Sequence, residues 1–431
     1  MRRFLKRVVR LLDTPAGISI GRMSTQSLSL VTAPIIAQAI GPAGRGMTAA
    51  TLAAVTISGV AIGLGVPLAV RRRAVLSEDR RDLVRTARLF AWVTALPALA
   101  IGIILSFTLV ASLDPAGHIA FLVAMTCAAL TVSWGIDTQV LVADRRYFRI
   151  LWLGSIQTVA YFVVILALWI AGAMSVAAVL WAYTAGTLAA FILGRCWVRS
   201  RGGRVKEVRS LLGEGLRLWG SQAAEVASAR LDQLLVLPII GAAPTGLYSV
   251  AATMGALPVS IGIGFGAASF RGFVEDRRRE RFEEAVRMAT AMAFTLAVVV
   301  ALASIPGIPL LFGPEFAGSV PLAFITLVGG IAVVGTYICS MAFVALDQGL
   351  RMTLVQTIGL AVGIALLVPA GYLWGATGAA AASTVGYLAT FGSAVALLGL
   401  RPWKVIPLLP DFRRGIRVFL GRRPEGPSAD S

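Results

Sequence analysis

Charge is scarce in this chain, and cysteine and histidine are scarcer. Of 431 residues, 14% are charged, three are cysteine and one is histidine. A typical soluble protein is about 25% charged and 45–50% apolar. Here 57% of the residues are hydrophobic, which is too much for a water-soluble core. Cys127, Cys196 and Cys339 have no pairing or ligand spacing, which excludes a disulfide framework or a zinc site. No cofactor or metal ion is expected. Acidic residues are few as well, 21 against 39 Lys and Arg, for a net charge of +18.

The missing charges define the architecture. None occurs from Gly46 to Val70, or between Arg287 and Glu315. About 20 apolar residues span a bilayer core. The charge-free blocks Ile150–Gly194 and Met352–Leu400 are long enough for two helices each. They are divided at Ala171-Gly172-Ala173-Met174 and at Trp374-Gly375-Ala376-Thr377-Gly378, because glycine breaks helices. Twelve spans follow, near 18–40, 47–70, 89–112, 117–141, 148–170, 175–196, 216–240, 245–269, 288–312, 319–345, 353–371 and 377–400. The fold class is an all-α integral membrane protein. An N-terminal signal-peptide reading fails because Arg22 and Gln26 interrupt the apolar run. The first span is expected to be retained.

The basic excess is explained by topology. With the N-terminus inside, 36 of the 39 Lys and Arg fall on inner segments. The outer loops hold only Arg45, and Arg22 and Arg230 lie within spans. Cytoplasmic loops retain such an excess because positive charge resists translocation. A nucleic-acid partner is therefore not expected. Anionic lipids at the basic cytoplasmic rim are the expected contact. "MRRFLKRVVRLL" and "DFRRGIRVFLGRR" set Phe4, Val8 and Leu11, and Phe412, Ile416 and Phe419, opposite arginines. They read as interfacial helices or as solvated charge runs.

The two halves resemble each other. Pro34-Ile35-Ile36 precedes "GPAGRG" (41–46), and Pro238-Ile239-Ile240 precedes "GAAPTG" (241–246). A span with Gly-x-Gly follows each, Gly63-Leu64-Gly65 and Gly264-Phe265-Gly266. No strand pattern precedes these pairs. They read as helical positions that permit close packing, not as phosphate loops. Six spans separate the copies, so the repeat is parallel, and sites in such architectures lie near mid-membrane between repeats. The expected domains are a cytoplasmic amphipathic N-tail (1–17), a six-helix bundle (18–196), a basic linker (197–215), a second six-helix bundle (216–400) and a basic cytoplasmic C-tail (401–431).

Polar stripes mark the candidate site. At about 100° per residue, Gln222, Glu225, Ala229, Asp232 and Gln233 share one face of the seventh span, with Arg230 at its edge. Arg22, Thr25, Gln26, Ser29 and Thr32 form a similar stripe in the first. Such faces cannot point at lipid. Asp137 in the fourth span, Gln157 with Tyr161 in the fifth and Gln356 in the eleventh are weaker candidates, and each also fits a local interhelical hydrogen bond. Arg22 and Asp137 could equally reach the headgroups. Arg230 has no acidic neighbour at i±3 or i±4. Its partner is expected to be a bound anion or a watery cavity, or else an acid on another helix.

"RLDQLLVLPIIGAAPTGLYSVAA" (230–252), "IGPAGRG" (40–46) and "PLLFGPEFAGSVPLA" (309–323) resemble the polysaccharide flippases, exporters of lipid-linked oligosaccharides. Their superfamily also contains multidrug exporters and flippases of peptidoglycan precursors. The resemblance implies two six-helix bundles around a central cavity, alternating access, and undecaprenyl-diphosphate-linked glycan as the substrate moved to the outer leaflet. A polysaccharide polymerase is the candidate protein partner. Twelve spans depart from relatives with fourteen. On this reading Arg22, Gln26, Gln157, Tyr161, Gln222 and Arg230 bind substrate, and Asp137, Glu225 and Asp232 are candidates for ion coupling. The alternative is an ion-coupled multidrug exporter, which would favour an acidic cavity. An enzyme is not expected, since the short outer loops hold only Arg45, Asp114, His118 and Glu315 and no cluster with catalytic spacing.

Overall fold

A computed structural model describes residues 15–76, 80–199, 203–408 and 410–412. The interfacial helices expected at the termini fall almost wholly outside these residues, as do the side chains of Arg22 and Gln26. Among the described residues there are helices and no strands. This follows from composition, because a lipid-embedded chain must satisfy its backbone hydrogen bonds within each segment.

The first helix, α1 (Pro15–Gly63), is broken at Gly41 (φ 66°, ψ −177°), a backbone region essentially restricted to glycine. Pro42 restarts the helix, since proline suits a first helical turn. Next come α2 (Val66–Leu76), α3 (Arg81–Val93), α4 (Ala95–Thr108), α5 (Pro115–Thr126), α6 (Ala128–Ala143), α7 (Tyr147–Ile170), α8 (Val176–Trp197) and α9 (Val208–Ile240). The second half holds α10 (Ala242–Gly255), α11 (Val259–Glu275), α12 (Arg279–Phe312), α13 (Ser319–Ala345) and α14 (Gly349–Leu397). Gly375 (φ 58°, ψ −134°) breaks α14. Nine described helical stretches are long and apolar enough to cross a membrane, three of them made by successive helices, α3 with α4, α5 with α6 and α10 with the start of α11. Two others, Leu28–Gly63 and Gly349–Leu397, contain these breaks and cross twice. Adding α9, whose charges keep it out of that set, recovers the twelve expected spans.

By packing the chain divides into two units, Met1–Gly246 and Leu247–Ser431. The seventh span, α9, belongs by sequence repeat to the second half, yet it packs in the first unit. Trp219 Nε1 donates to the Val60 carbonyl at 3.2 Å. Arg73 on α2 pairs with Glu214 at 2.8 Å. Gly65 (φ 68°) lies against Gly215, and a Cβ on Gly215 would sit 2.6 Å from the Leu64 carbonyl oxygen. The core of this unit includes Met47, Phe121, Met125, Ile136 and Leu180.

The repeat motifs also meet here. A side chain on Gly46 would strike the Ala242 carbonyl, and one on Gly246 would strike the Pro42 carbonyl. Position 42 therefore faces 246 while 242 faces 46, a reciprocal close approach of the two glycine-rich segments. Gly241 (φ 86°, ψ 174°) repeats the conformation of Gly41. The two glycine-rich segments thus share a backbone conformation as well as a sequence pattern.

In the second unit Phe265, Phe273, Phe282, Val286 and Ile338 form the core. Tyr248 and Ser383 share a buried hydrogen bond of 2.9 Å, and Arg287 pairs with Asp411 at 2.8 Å. The Gly-x-Gly reading needs correction. Gly65 lies in the turn between α1 and α2, and a Cβ on Gly264 would meet nothing within 4 Å. A Cβ on Gly266 would approach Tyr337 to 2.8 Å, so only the second glycine of each pair is required, for different reasons.

Candidate functional site

Four helices of the first unit bring polar side chains together. On α7, Gln157 Nε2 donates to Thr187 Oγ1 on α8 at 3.1 Å. The helices approach closely because Gly186 faces the Gln157 backbone, and a Cβ there would sit 2.5 Å from its carbonyl oxygen. One turn along, Tyr161 meets Tyr183 edge to face, with centroids 6.5 Å apart and planes at 78°. Thr187 Oγ1 also donates to the Tyr183 backbone carbonyl at 3.0 Å, and the Tyr183 phenol lies near the side chains of Gln157, Thr187 and Thr56 of α1.

Two guanidiniums join this cluster. Arg45, half-buried, lies in the helical turn after the Gly41 break and within electrostatic reach of Tyr161 and Arg230. Its Nε is buried with no hydrogen-bond partner among the described residues. Arg230 of α9 is exposed and within electrostatic reach of Tyr183. The expectation for Arg45 is corrected. It is a helical residue of the cluster, not a loop cation. Arg230 has a partner on its own helix, since its Nη1 donates to Gln233 Oε1 at 3.4 Å. That partner is a neutral amide, not an acid.

The other candidates are placed as follows. Gln222 is half-buried and Glu225 exposed on α9. Asp232 accepts from the Gln233 backbone N–H at 2.7 Å. Gln356 lies in the second unit and is half-buried. Asp137 is apart from the cluster. Fully buried on α6, it pairs with Arg88 of α3, whose Nη2 donates to Oδ1 at 2.7 Å and to the Val198 carbonyl at 2.5 Å. By sequence Arg88 counts among the inner-loop cations, and nothing in the local pattern discloses this pair. Arg45, Thr56, Tyr183 and Thr187 are likewise absent from the candidates read from sequence. The signal for the last two was present, because Tyr183 and Thr187 recur at i, i+4 on a charge-free helix.

Chemically, the cluster offers two cations, two phenols and an amide–hydroxyl network. A guanidinium presents forked donors that match phosphate oxygens, and uncharged hydroxyl and amide groups suit sugar hydroxyls. No group of three or more His, Cys, Asp or Glu that could hold a metal ion occurs among the described residues.

The family model for the polysaccharide biosynthesis protein family matches residues 16–270. No curated protein matches the chain by sequence. Among solved structures, the fold is similar to a lipid II flippase, MurJ, in an inward closed conformation. The TM-score is 0.76 at 12% identity, covering 95% of this chain and 93% of that one. It is also similar to an inward-facing multidrug resistance MATE family transporter of the MOP superfamily, with TM-score 0.65, 14% identity and coverage of 94% and 98%. A MOP superfamily transporter from Pyrococcus furiosus aligns with TM-score 0.56 at 15% identity over 96% of each chain. A match over more than half of the chain decides the family: this multi-pass membrane protein belongs to the polysaccharide biosynthesis protein family, with the fold of the MOP superfamily.

Proposed function

We propose that the chain moves undecaprenyl-diphosphate-linked oligosaccharide from the inner to the outer leaflet of the cytoplasmic membrane, for surface polysaccharide synthesis. Transport proceeds by alternating exposure of the Arg45–Arg230 cluster to the two sides. One observation carries this reading: Arg45 Nε is a buried donor without an acceptor among the described residues, and a second arginine lies within electrostatic reach. An unsatisfied buried donor costs about 1–3 kcal/mol, and two like charges add repulsion. A phosphate oxygen relieves both. Gln157, Tyr161 and Tyr183 then face the sugars.

Export of cationic small molecules is the second reading. It is favoured by Glu225 and Asp232 on the same helix and by the likeness to a multidrug transporter. Purified protein in vesicles, given labelled undecaprenyl-diphosphate oligosaccharide and separately a cationic dye, distinguishes the two. Glycan-lipid translocation is expected. Dye efflux without it would overturn the proposal.

The same reading puts both termini in the cytoplasm. In a background with Cys127, Cys196 and Cys339 replaced by serine, cysteines at Ala43 and Ala317 are expected to react with an impermeant thiol reagent added outside. One at Ser428 is expected to stay unlabelled. Labelling at 428 from outside would reverse the topology.

A further inference from the structure

A second basic recess, of about 370 Å³, lies where α3 and α7 begin and α6 and α8 end. It is well along α7 and α8 from Gln157 and Tyr183, and separate from the Arg45–Arg230 cluster. Arg80, Arg81, Arg146, Arg149 and Arg199 line it with one carboxylate, Asp144. That carboxylate is taken up by an ion pair with Arg80. Glu78 and Asp79 precede Arg80 in sequence, outside the described residues. Even with both included, arginines outnumber carboxylates five to three.

The backbone adds to the positive potential. Arg80 and Arg146 occupy the N-caps of α3 and α7, and neither side chain caps its helix. Helix N-termini carry partial positive charge and unsatisfied N–H groups, so a cation at the cap is the unfavourable choice, made here twice. The Arg149 guanidinium lies over the Trp197 ring, 5.9 Å from its centroid. Stacking restrains a guanidinium yet leaves its in-plane N–H donors available to an oxyanion.

We propose that this recess is an anion site for a phosphate headgroup, distinct from the transport cluster and occupied at the membrane surface. Two sources share that chemistry, an anionic phospholipid such as phosphatidylglycerol and free inorganic phosphate. The site does not depend on what the chain transports.

Native mass spectrometry of the detergent-purified full chain tests it. The probes are phosphatidylglycerol, zwitterionic phosphatidylethanolamine and inorganic phosphate. The wild type is expected to retain phosphatidylglycerol in preference to phosphatidylethanolamine. At about 1 kcal/mol per surface cation, Arg149→Gln weakens retention roughly fivefold and Arg146→Gln with Arg149→Gln roughly twenty-five-fold. The single variant serves if the double variant does not fold. Arg72→Gln with Arg217→Gln removes the same charge from another arginine-rich recess and is expected to change retention little. Displacement of the lipid by millimolar phosphate assigns the site to the free anion and supports the shared chemistry. Equal retention in all variants, or equal loss in both double variants, overturns the proposal. Transport is not read in this experiment, so its outcome is independent of the flippase reading.

Discussion

Replacing Arg88 with alanine is expected to destabilise the folded chain by about 3–5 kcal/mol, because it leaves the Asp137 carboxylate buried and unpaired. Arg88 is 6% exposed and Asp137 is 0% exposed. Asp137 Oδ1 accepts from Arg88 Nε at 3.1 Å and from Nη2 at 2.7 Å, while Oδ2 has no hydrogen-bond partner among the described residues. A Cβ on Gly194 would lie 2.8 Å from Oδ2, so the helices close around the carboxylate with no room for a larger residue. The pair links α3, α6 and, through the Val198 carbonyl, the end of α8. Asp137→Asn should cost a comparable amount, since it strands Arg88. The double variant Arg88→Ala with Asp137→Ala should recover much of the loss, because removing both charges ends the desolvation penalty that each single variant exposes. Thermal unfolding in detergent, arranged as a double-mutant cycle, checks this. If Asp137 instead served ion coupling alone, Asp137→Asn would abolish transport without lowering the unfolding midpoint.

The spans were legible because hydrocarbon tolerates so little charge. A charge-free run as long as Ile150–Gly194 fits a bilayer crossed twice and suits little else. The breaks at Gly41 and Gly375 were legible for the same kind of reason, since few residues other than glycine adopt those angles. Arg45 was not. It stands among Gly41, Pro42, Gly44 and Gly46, a composition that reads as a loop, yet the helix resumes at Pro42 and packs closely against Ala242 and Gly246. Arg88 was obscured differently. Val84, Ala87, Arg88 and Ala91 form one buried face of α3, a helical spacing visible in the sequence, but a cation at the inner end of a span looks like a topology signal. Its partner lies 49 residues away, and no local rule connects them. The packing of α9 with the first unit was also hidden, because the repeat assigns it to the second half by descent and says nothing of its contacts.

Arg230→Ala is expected to abolish glycan-lipid transport while leaving the protein folded. Arg45→Ala should do the same, and its unfolding midpoint should hold or rise. The asymmetry follows from environment. Arg230 is exposed and donates to the Gln233 amide at 3.4 Å, so truncating it leaves no buried charge behind. Arg45 carries a buried Nε without an acceptor among the described residues and within reach of a like charge, so truncation removes a cost from the empty protein. Each charge-assisted hydrogen bond to a phosphate is worth about 1.5–3 kcal/mol, or roughly ten- to hundredfold in affinity. Losing either arginine should therefore suppress transport at least tenfold. Lysine at either position should restore only part of the rate, because a point charge lacks the forked donor geometry. The measurement is translocation of labelled undecaprenyl-diphosphate oligosaccharide in vesicles, paired with thermal unfolding of each variant. An inside-negative potential should accelerate the wild type, since outward movement of an anion gains about 2.3 kcal/mol per charge per 100 mV. Full transport by both alanine variants, with the same response to potential, would remove the cluster from the substrate path.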